Sequence, residues 1–252
     1  MLIVADVHGE FDALGKLART GESLLILGDL INYVDYRTMD GIAAEVLGKQ
    51  FVRQVARFRA IGDYGGSRAL WRENMAGRES EIRRQIGELV RHQYEEARRA
   101  LDGGTSYVTY GNVDWPEALR ACLPEGSTFV DGEVVEIEGF RVGFVGGGAP
   151  TPLGVAGEVS DEAMADKLDR LGPVDILCSH VPPAVAALST DVITGRVEGS
   201  SVAILRYLGR HQPAFHYFGD IHQPQASRWR VGGTRCVNVG YFRATRRAIR
   251  HP

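Results

Sequence analysis

Five times along this 252-residue chain, a short run of apolar, β-branched or aromatic residues closes on a side chain able to bind a metal ion. The runs span 2–6, 24–29, 107–112, 175–180 and 215–220, and they end on Asp6, Asp29, Asn112, His180 and Asp220. Runs this short and this apolar predict strands buried on both faces, as in α/β sheets with helices packed outside. Such sheets place ligands beyond the carboxyl ends of their strands. Gly28, Gly111 and Gly219 stand directly before Asp29, Asn112 and Asp220, where a backbone without Cβ can turn sharply. The repeated pattern therefore predicts a cluster of polar groups at one sheet edge.

Further strands are expected at 133–138, 141–145, 227–231 and 234–239, where β-branched or aromatic residues recur between glycine turns; they read as antiparallel, hairpin-linked pairs. Helices are expected at 11–19, 161–171 and 200–210, the last two opened by Ser160 and by Gly199-Ser200 as caps. Between the second and third strands, 38–101 is a long helical stretch. Phe51, Val55 and Phe58, then Ile82, Ile86 and Leu89, recur there at helical spacing, with a break near 62–66. Glu79/Arg83 and Glu95/Arg99 stand four apart in the order that supports exposed helix faces. The stretch reads as an inserted helical hairpin that flanks or caps the site, or joins two copies of the chain. No repeat or low-complexity linker divides the sequence, so one domain over 1–252 is expected, a mixed-sheet α/β sandwich covered by helices.

Apolar residues make up 44% and charged residues 24%, the balance of a folded globular chain rather than a disordered, collagen-like or coiled-coil one. No run approaches the ~18 apolar residues of a membrane span, and Met1 leads into Leu2-Ile3-Val4 without a basic leader, so a cytoplasmic address without membrane contact is expected. Cys122, Cys178 and Cys236 are odd in number and form no C-x-x-C pair, which reads as reduced core thiols. A net charge of −3 excludes capture of nucleic acid or acidic membrane by the protein as a whole, so any such binding must be local. From 226 to 252 there are seven arginines and no acid, which leaves −10 on the rest; 243–252 reads as a solvated basic tail.

Taken in order, Asp6-x-His8, Gly28-Asp29-x-x-Asn32, Gly111-Asn112-x-Asp114, His180 and Gly219-Asp220-x-His222 resemble the motif series of the calcineurin-like metallophosphoesterases, nearest the bacterial phosphodiesterase branch. The resemblance implies an α/β/β/α four-layer sandwich and two divalent ions that hydrolyse a small phosphate ester through a bridging hydroxide. It assigns Asp6, His8 and His222 to one ion and Asn112, His180 and Asp220 to the other, with Asp29 shared. Asp29, Asn112 and Asp114 form the implied catalytic group. Asp114 and Asn32 are placed outside the ligands, orienting them.

The chemistry is sound without the name. Two divalent ions ionise a water near neutral pH and neutralise phosphoryl charge during an in-line displacement. Carboxylate and carboxamide oxygens mixed with imidazole suit Mn²⁺, Fe or Zn²⁺. Two departures from the family pattern matter. Asp220 stands where the family usually has histidine; three carboxylates then face two ions and leave +1, which tilts the choice toward Mn²⁺. Val113 also stands where a histidine is usual, and valine cannot protonate a leaving group, a role commonly worth ~10²–10⁴-fold. Diesters with stable leaving groups are therefore expected ahead of monoesters.

The remaining candidates have plainer readings. His216 lies inside a strand and reads as a hydrogen-bonded core histidine, Asp35 as a loop residue, and His92, His211 and His251 carry no metal expectation. The glycine-rich stretch 146–154 lacks the Gly-Lys-Ser/Thr of a phosphate loop and reads as a lining of the crevice. No serine sits in a G-x-S-x-G elbow. A metal-poor scaffold on the same fold, or a nuclease gripping its substrate with the basic end, are the competing functions.

Overall fold

The computed structural model describes residues 1–151 and 154–252; Pro152 and Leu153, within the stretch expected to line the crevice, lie outside the described residues. The chain opens with β1 (Leu2–Val4), α1 (Phe11–Ala18) and β2 (Leu24–Leu27), followed by α2 (Ile42–Leu47), α3 (Lys49–Ile61), α4 (Tyr64–Met75) and α5 (Glu79–Leu101). Next come β3 (Ser106–Thr109), α6 (Pro116–Cys122), β4 (Ser127–Phe129), β5 (Glu133–Ile137), β6 (Phe140–Val145), α7 (Asp161–Leu171) and β7 (Ile176–Ser179). A short helix α8 (Ala186–Ser189) leads into the hairpin β8 (Thr190–Asp191) and β9 (Arg196–Val197). The last part holds α9 (Val202–His211), β10 (Phe215–Phe218), β11 (Arg228–Val231), β12 (Thr234–Asn238), α10 (Phe242–Thr245) and β13 (Ile249–Arg250).

Two mixed sheets result. The first runs β13-β1-β2-β3-β4, parallel except for β13; the second runs β11-β12-β10-β7-β6-β5, with four parallel strands between antiparallel edges. Alternation along each strand builds four layers. Ile3, Leu25 and Leu27 of the first sheet meet Val142, Phe144, Ile176 and Tyr217 of the second in a core between the sheets. Their neighbours Leu2, Val4, Leu24 and Ile26 face outward onto α1 and α5, while Val145, Leu177 and Phe218 face α7 and α9. This is the α/β/β/α sandwich expected. Among the described residues no helix is long and apolar enough to cross a membrane.

The segment after β2 differs from the expected hairpin. It forms four helices, and the last is part of the sandwich: Ile82, Ile86, Val90, Tyr94, Ala97 and Leu101 line one buried face of α5 against the first sheet. By contrast, α3 and α4 pack on a smaller core around Phe51, Val52 and Val55, which α2 shares through Ala43 and Ala44. The break is at Gly62, in a left-handed conformation, and Asp63 caps α4 through Gly66 N–H, so Gly65 and Gly66 are helical. Glu95 pairs with Arg98 rather than Arg99.

Other expectations shift as well. Ser160 caps α7, but the cap of α9 is Ser201, which accepts from Ile204 N–H. The basic tail is not free: Phe242–Thr245 is helical and Ile249–Arg250 adds an antiparallel strand beside β1. Arg243 pairs with Asp35 and Asp40, Arg246 with Glu10, and Arg250 with Glu22. Cys178 and Cys236 are buried free thiols, whereas Cys122 is half-buried. His216 is fully buried, its Nε2 2.8 Å from Ser179 Oγ.

Candidate metal centre

All seven candidate ligands lie just beyond the carboxyl ends of five parallel strands, three from the first sheet and two from the second. Asp6 and His8 follow β1, Asp29 follows β2, Asn112 follows β3, His180 follows β7, and Asp220 and His222 follow β10. The turns that bring them together are conformationally demanding. Asp6, His8, Asp29 and Asp220 are four of the eight non-glycine residues with positive φ among the described residues. L-residues rarely adopt that region, and such departures concentrate where a fold must aim particular groups.

Neighbouring turns are stitched to one another. Asp6 N–H donates to Gly28 O, His8 N–H to Asp29 O, and Gly219 N–H to His180 O. Asp220 N–H donates to the Asp6 carboxylate, linking β1 of one sheet to β10 of the other. A Cβ on Gly111 would lie 2.7 Å from Asp29 Cγ, and one on Gly219 2.7 Å from Asp6 Oδ2, so these glycines permit the close approach.

Asp29 occupies the middle. Its Oδ2 is 3.5 Å from His8 Nε2 and its Oδ1 3.5 Å from His180 Nε2. On the His8 side, His222 Nε2 is 3.6 Å from Asp6 Oδ1; on the His180 side, Asn112 Oδ1 is 3.3 Å and Asp220 Oδ1 3.7 Å from His180 Nε2. Asp6, His8 and His222 thus form one set of converging donors, and Asp6, Asp29 and His180 another. His180 Nδ1 lies 2.8 Å from the carbonyl of Leu27, a bond in which the ring nitrogen donates, so Nε2 is the atom turned to the carboxylates. The side chains of His222 (27% exposed) and Asp220 (21%) mark the open side, since those of His8, Asp29 and His180 are at most 7% exposed.

The charges are mutually adjusted. Burial pushes Asp29 up to about 7, with Asp114, Asp6 and Asp220 adding to the rise and His180 opposing it. Burial also raises Asp220, to about 6. For His180 burial acts downward, but the carboxylates of Asp29, Asp220 and Asp6 raise it to about 9. Burial, reinforced by His222, lowers His8 to about 3 and keeps its imidazole neutral. Asp6 is held below the usual carboxylate range because its bond to His222 and three nearby imidazoles outweigh its burial.

Asp114 is not among the converging groups. Its fully buried carboxylate accepts from Leu30 N–H (3.1 Å), Gly111 N–H (3.0 Å) and Tyr94 O–H (3.2 Å), which makes it the tie between the turns carrying Asp29 and Asn112. Among the described residues Asn32 makes no hydrogen bond to a candidate ligand: its Nδ2 donates to Asp40 Oδ1, and its N–H to Gln93 Oε1 on α5. Val113 contributes through its backbone, donating to Asp29 Oδ1 at 3.1 Å. Asp35 is more than a loop residue, being buried and bonded to Tyr241 O–H and the Arg243 guanidinium. Arg243 also donates to His8 O.

Tyr241 went unread in the sequence. It follows β12 and Gly240 as the ligands follow their strands, and β12 is parallel to β10, so the same run-then-glycine pattern marks it. An aromatic ending escapes a pattern restricted to metal-binding side chains.

No protein-family model matches this chain, and no curated protein does. Solved structures share its fold, among them two that span nearly the whole chain. One crystal structure superposes with a TM-score of 0.58 at 18% identity, over 96% of this chain and 90% of that one. The crystal structure of TT1561 of Thermus thermophilus superposes with a TM-score of 0.52 at 13% identity, over 98% of this chain and 96% of that one.

Proposed function

We propose that this protein is a dinuclear-metal-dependent hydrolase of phosphate esters, with phosphodiesters its main substrates, as the resemblance to the calcineurin-like metallophosphoesterases implies. The observation that carries the reading is the placement of Asp29, whose two carboxylate oxygens each face a different imidazole at 3.5 Å. The donor set fits a pair of cations. Both ring nitrogens of neutral, buried His8 lack a hydrogen-bond partner, an arrangement costly for a structural histidine and suited to a ligand.

Asp6, His8 and His222 would hold one ion and Asn112, His180 and Asp220 the other, with Asp29 common to both. Divalent ions held there would supply an ionised water at neutral pH and would neutralise charge on the phosphoryl group. Oxygen donors outnumber imidazoles and no thiolate is present, which favours Mn²⁺. The Leu27 carbonyl fixes the His180 ring, and Val113 N–H and the Asp114 tie fix Asp29 and Asn112. Substrate reaches the site from the open side beside His222 and Asp220. Val113 brings no proton to the departing oxygen, hence the preference for diesters with stable leaving groups.

Metal analysis after incubation with Mn²⁺, with rates on bis-p-nitrophenyl phosphate and p-nitrophenyl phosphate, tests the proposal. Two equivalents of metal and faster diester cleavage are expected, and Asp29→Ala should lose both metal and rate. Full metal content and rate in Asp29→Ala would refute the shared ligand. No metal uptake and no hydrolysis by the unaltered protein would leave a scaffold.

A further inference from the structure

We propose that the edge formed by α3 and the β8–β9 hairpin docks on an anionic lipid bilayer. Along α3, Lys49, Arg53, Arg57 and Ile61 are all exposed and follow one another at intervals of four, which makes them neighbours in one row about 18 Å long. Among the described residues none of these three cations pairs with a carboxylate within 4.0 Å. By contrast, Arg243, Arg246 and Arg250 of the other basic stretch are spent on Asp35, Asp40, Glu10 and Glu22. Over α3 and the hairpin, 49–61 and 190–197, five basic residues face one acidic residue, a balance of +4 that leaves −7 on the rest of a chain of net −3. The near-neutral total therefore conceals a strongly polar distribution, and this is the local concentration that any binding to an acidic surface requires.

The row ends on apolar side chains. Ile61 is 73% exposed, and Val192, Ile193 and Val197 of the hairpin are 57%, 75% and 66% exposed. The Arg196 guanidinium joins the two segments, donating at 2.6 Å to both Arg59 O and Ala60 O at the end of α3. Aliphatic groups at the tip of a cationic row match a bilayer, whose headgroups take the charge and whose acyl boundary takes the Ile and Val side chains. A nucleic acid would take the charge but offers no comparable place for four aliphatic side chains. The hairpin also bonds to the turn after His222, Val192 N–H donating to Gln223 O, so a bilayer at this edge would lie beside the open side of the candidate site. The docking itself does not depend on the metal reading.

Sedimentation of the full chain with vesicles of phosphatidylcholine, with and without one quarter phosphatidylglycerol, tests this at 0.1 M and 0.5 M salt. Binding is expected only with phosphatidylglycerol and should fade at the higher salt. Lys49→Gln/Arg53→Gln/Arg57→Gln should weaken it about 100-fold, since each cation near an anionic surface contributes roughly 5-fold. Ile61→Ser/Ile193→Ser should weaken it with the charge unchanged, circular dichroism confirming that both variants fold. Absence of binding at 0.1 M salt would overturn the proposal, as would unaltered binding by either variant. Self-association abolished by Ile61→Ser/Ile193→Ser without vesicle binding would assign the edge to a second copy, and duplex DNA bound more tightly than vesicles would assign it to nucleic acid; each outcome refutes docking on lipid.

Discussion

The phenol ring of Tyr241 lies flat against the imidazole of His222, with centroids 3.9 Å apart and planes within 10°. The same ring meets His8 edge-on at 5.7 Å, and its hydroxyl is anchored on Asp35. One aromatic side chain therefore sets the attitude of both histidines assigned to the first cation. Tyr241→Ala should lower affinity for that cation by roughly 10-fold, the low end of what supporting groups around metal ligands are worth. Tyr241→Phe keeps the stack and should lose much less. Calorimetric titration with Mn²⁺ distinguishes the two, and equal affinity in Tyr241→Ala would show that His222 is held without the ring.

Asp114 and Tyr94 transmit the packing of α5 to the site. Asp114→Ala leaves the buried Leu30 and Gly111 N–H groups and the Tyr94 hydroxyl without acceptors, which should cost about 3 kcal/mol or more. Tyr94→Phe strands the Trp115 N–H and removes one donor from Asp114, for about 1–2 kcal/mol. Urea unfolding measures both, and losses below 0.5 kcal/mol in each, a bound of the order of half a typical net hydrogen bond, would mean that water replaces the bonds.

The strand ends were legible because the chemistry sits where an apolar run stops, and a run of that kind has few alternatives to a buried strand. Asp6, Asp29, Asn112, His180 and Asp220 all mark such stops, and the structure brings them to one edge. What the pattern could not carry was long-range packing. The apolar spacing of α5 says that one face is buried but not against what, so a core helix of the sandwich read as part of an appended hairpin. Likewise the arginines near the carboxyl end gave no sign that Asp35, Asp40, Glu10 and Glu22 would fold within reach.

Two glycines set how closely the turns after β2 and β3 approach. A Cβ at Gly111 would lie 2.7 Å from both Asp29 N and Asp29 Cγ, and Gly28, with φ +96°, would place one 2.6 Å from Tyr110 C. Gly111→Ala should therefore shift the Asp29 turn and, with it, the carboxylate. A shift of about 1 Å in such a group can cost roughly 100-fold in rate. Metal content and diester hydrolysis report it, and an unchanged rate would show that the turn relaxes away from Asp29.

His216 makes acid stability testable independently of any metal. Ser179 O–H donates to Val181 O, so Ser179 Oγ accepts from His216 Nε2, and burial lowers the imidazole to about 3. The unfolded chain takes up a proton near pH 6.5 that the folded chain refuses until about pH 3. Stability from this group is thus intact above about pH 6.5 and falls as pH drops, by about 1.4 kcal/mol per pH unit between those limits. His216→Gln should be less stable at pH 7 and should lose less between pH 7 and 5. Parallel pH dependences in chemical unfolding would assign the acid sensitivity elsewhere.

Val113 is half-buried, and its backbone N–H holds Asp29 whatever side chain it carries. Val113→His should therefore add an imidazole beside Asn112 and Asp29 without undoing the bond that orients the shared carboxylate. If the protein is, as proposed, confined to stable leaving groups by a missing proton donor, the gain must depend on the leaving group. Nitrophenolate departs readily unprotonated and should benefit little, whereas an alkoxide needs the proton, and cleavage of an alkyl phosphodiester should rise by about 100-fold, the lower end of general-acid contributions. The alkyl rate should also acquire a limb that falls at high pH as the new imidazolium loses its proton, a limb not expected of the unaltered protein. Equal acceleration of both substrate types, or none for the alkyl ester with metal content intact, would show that leaving-group protonation does not limit this site.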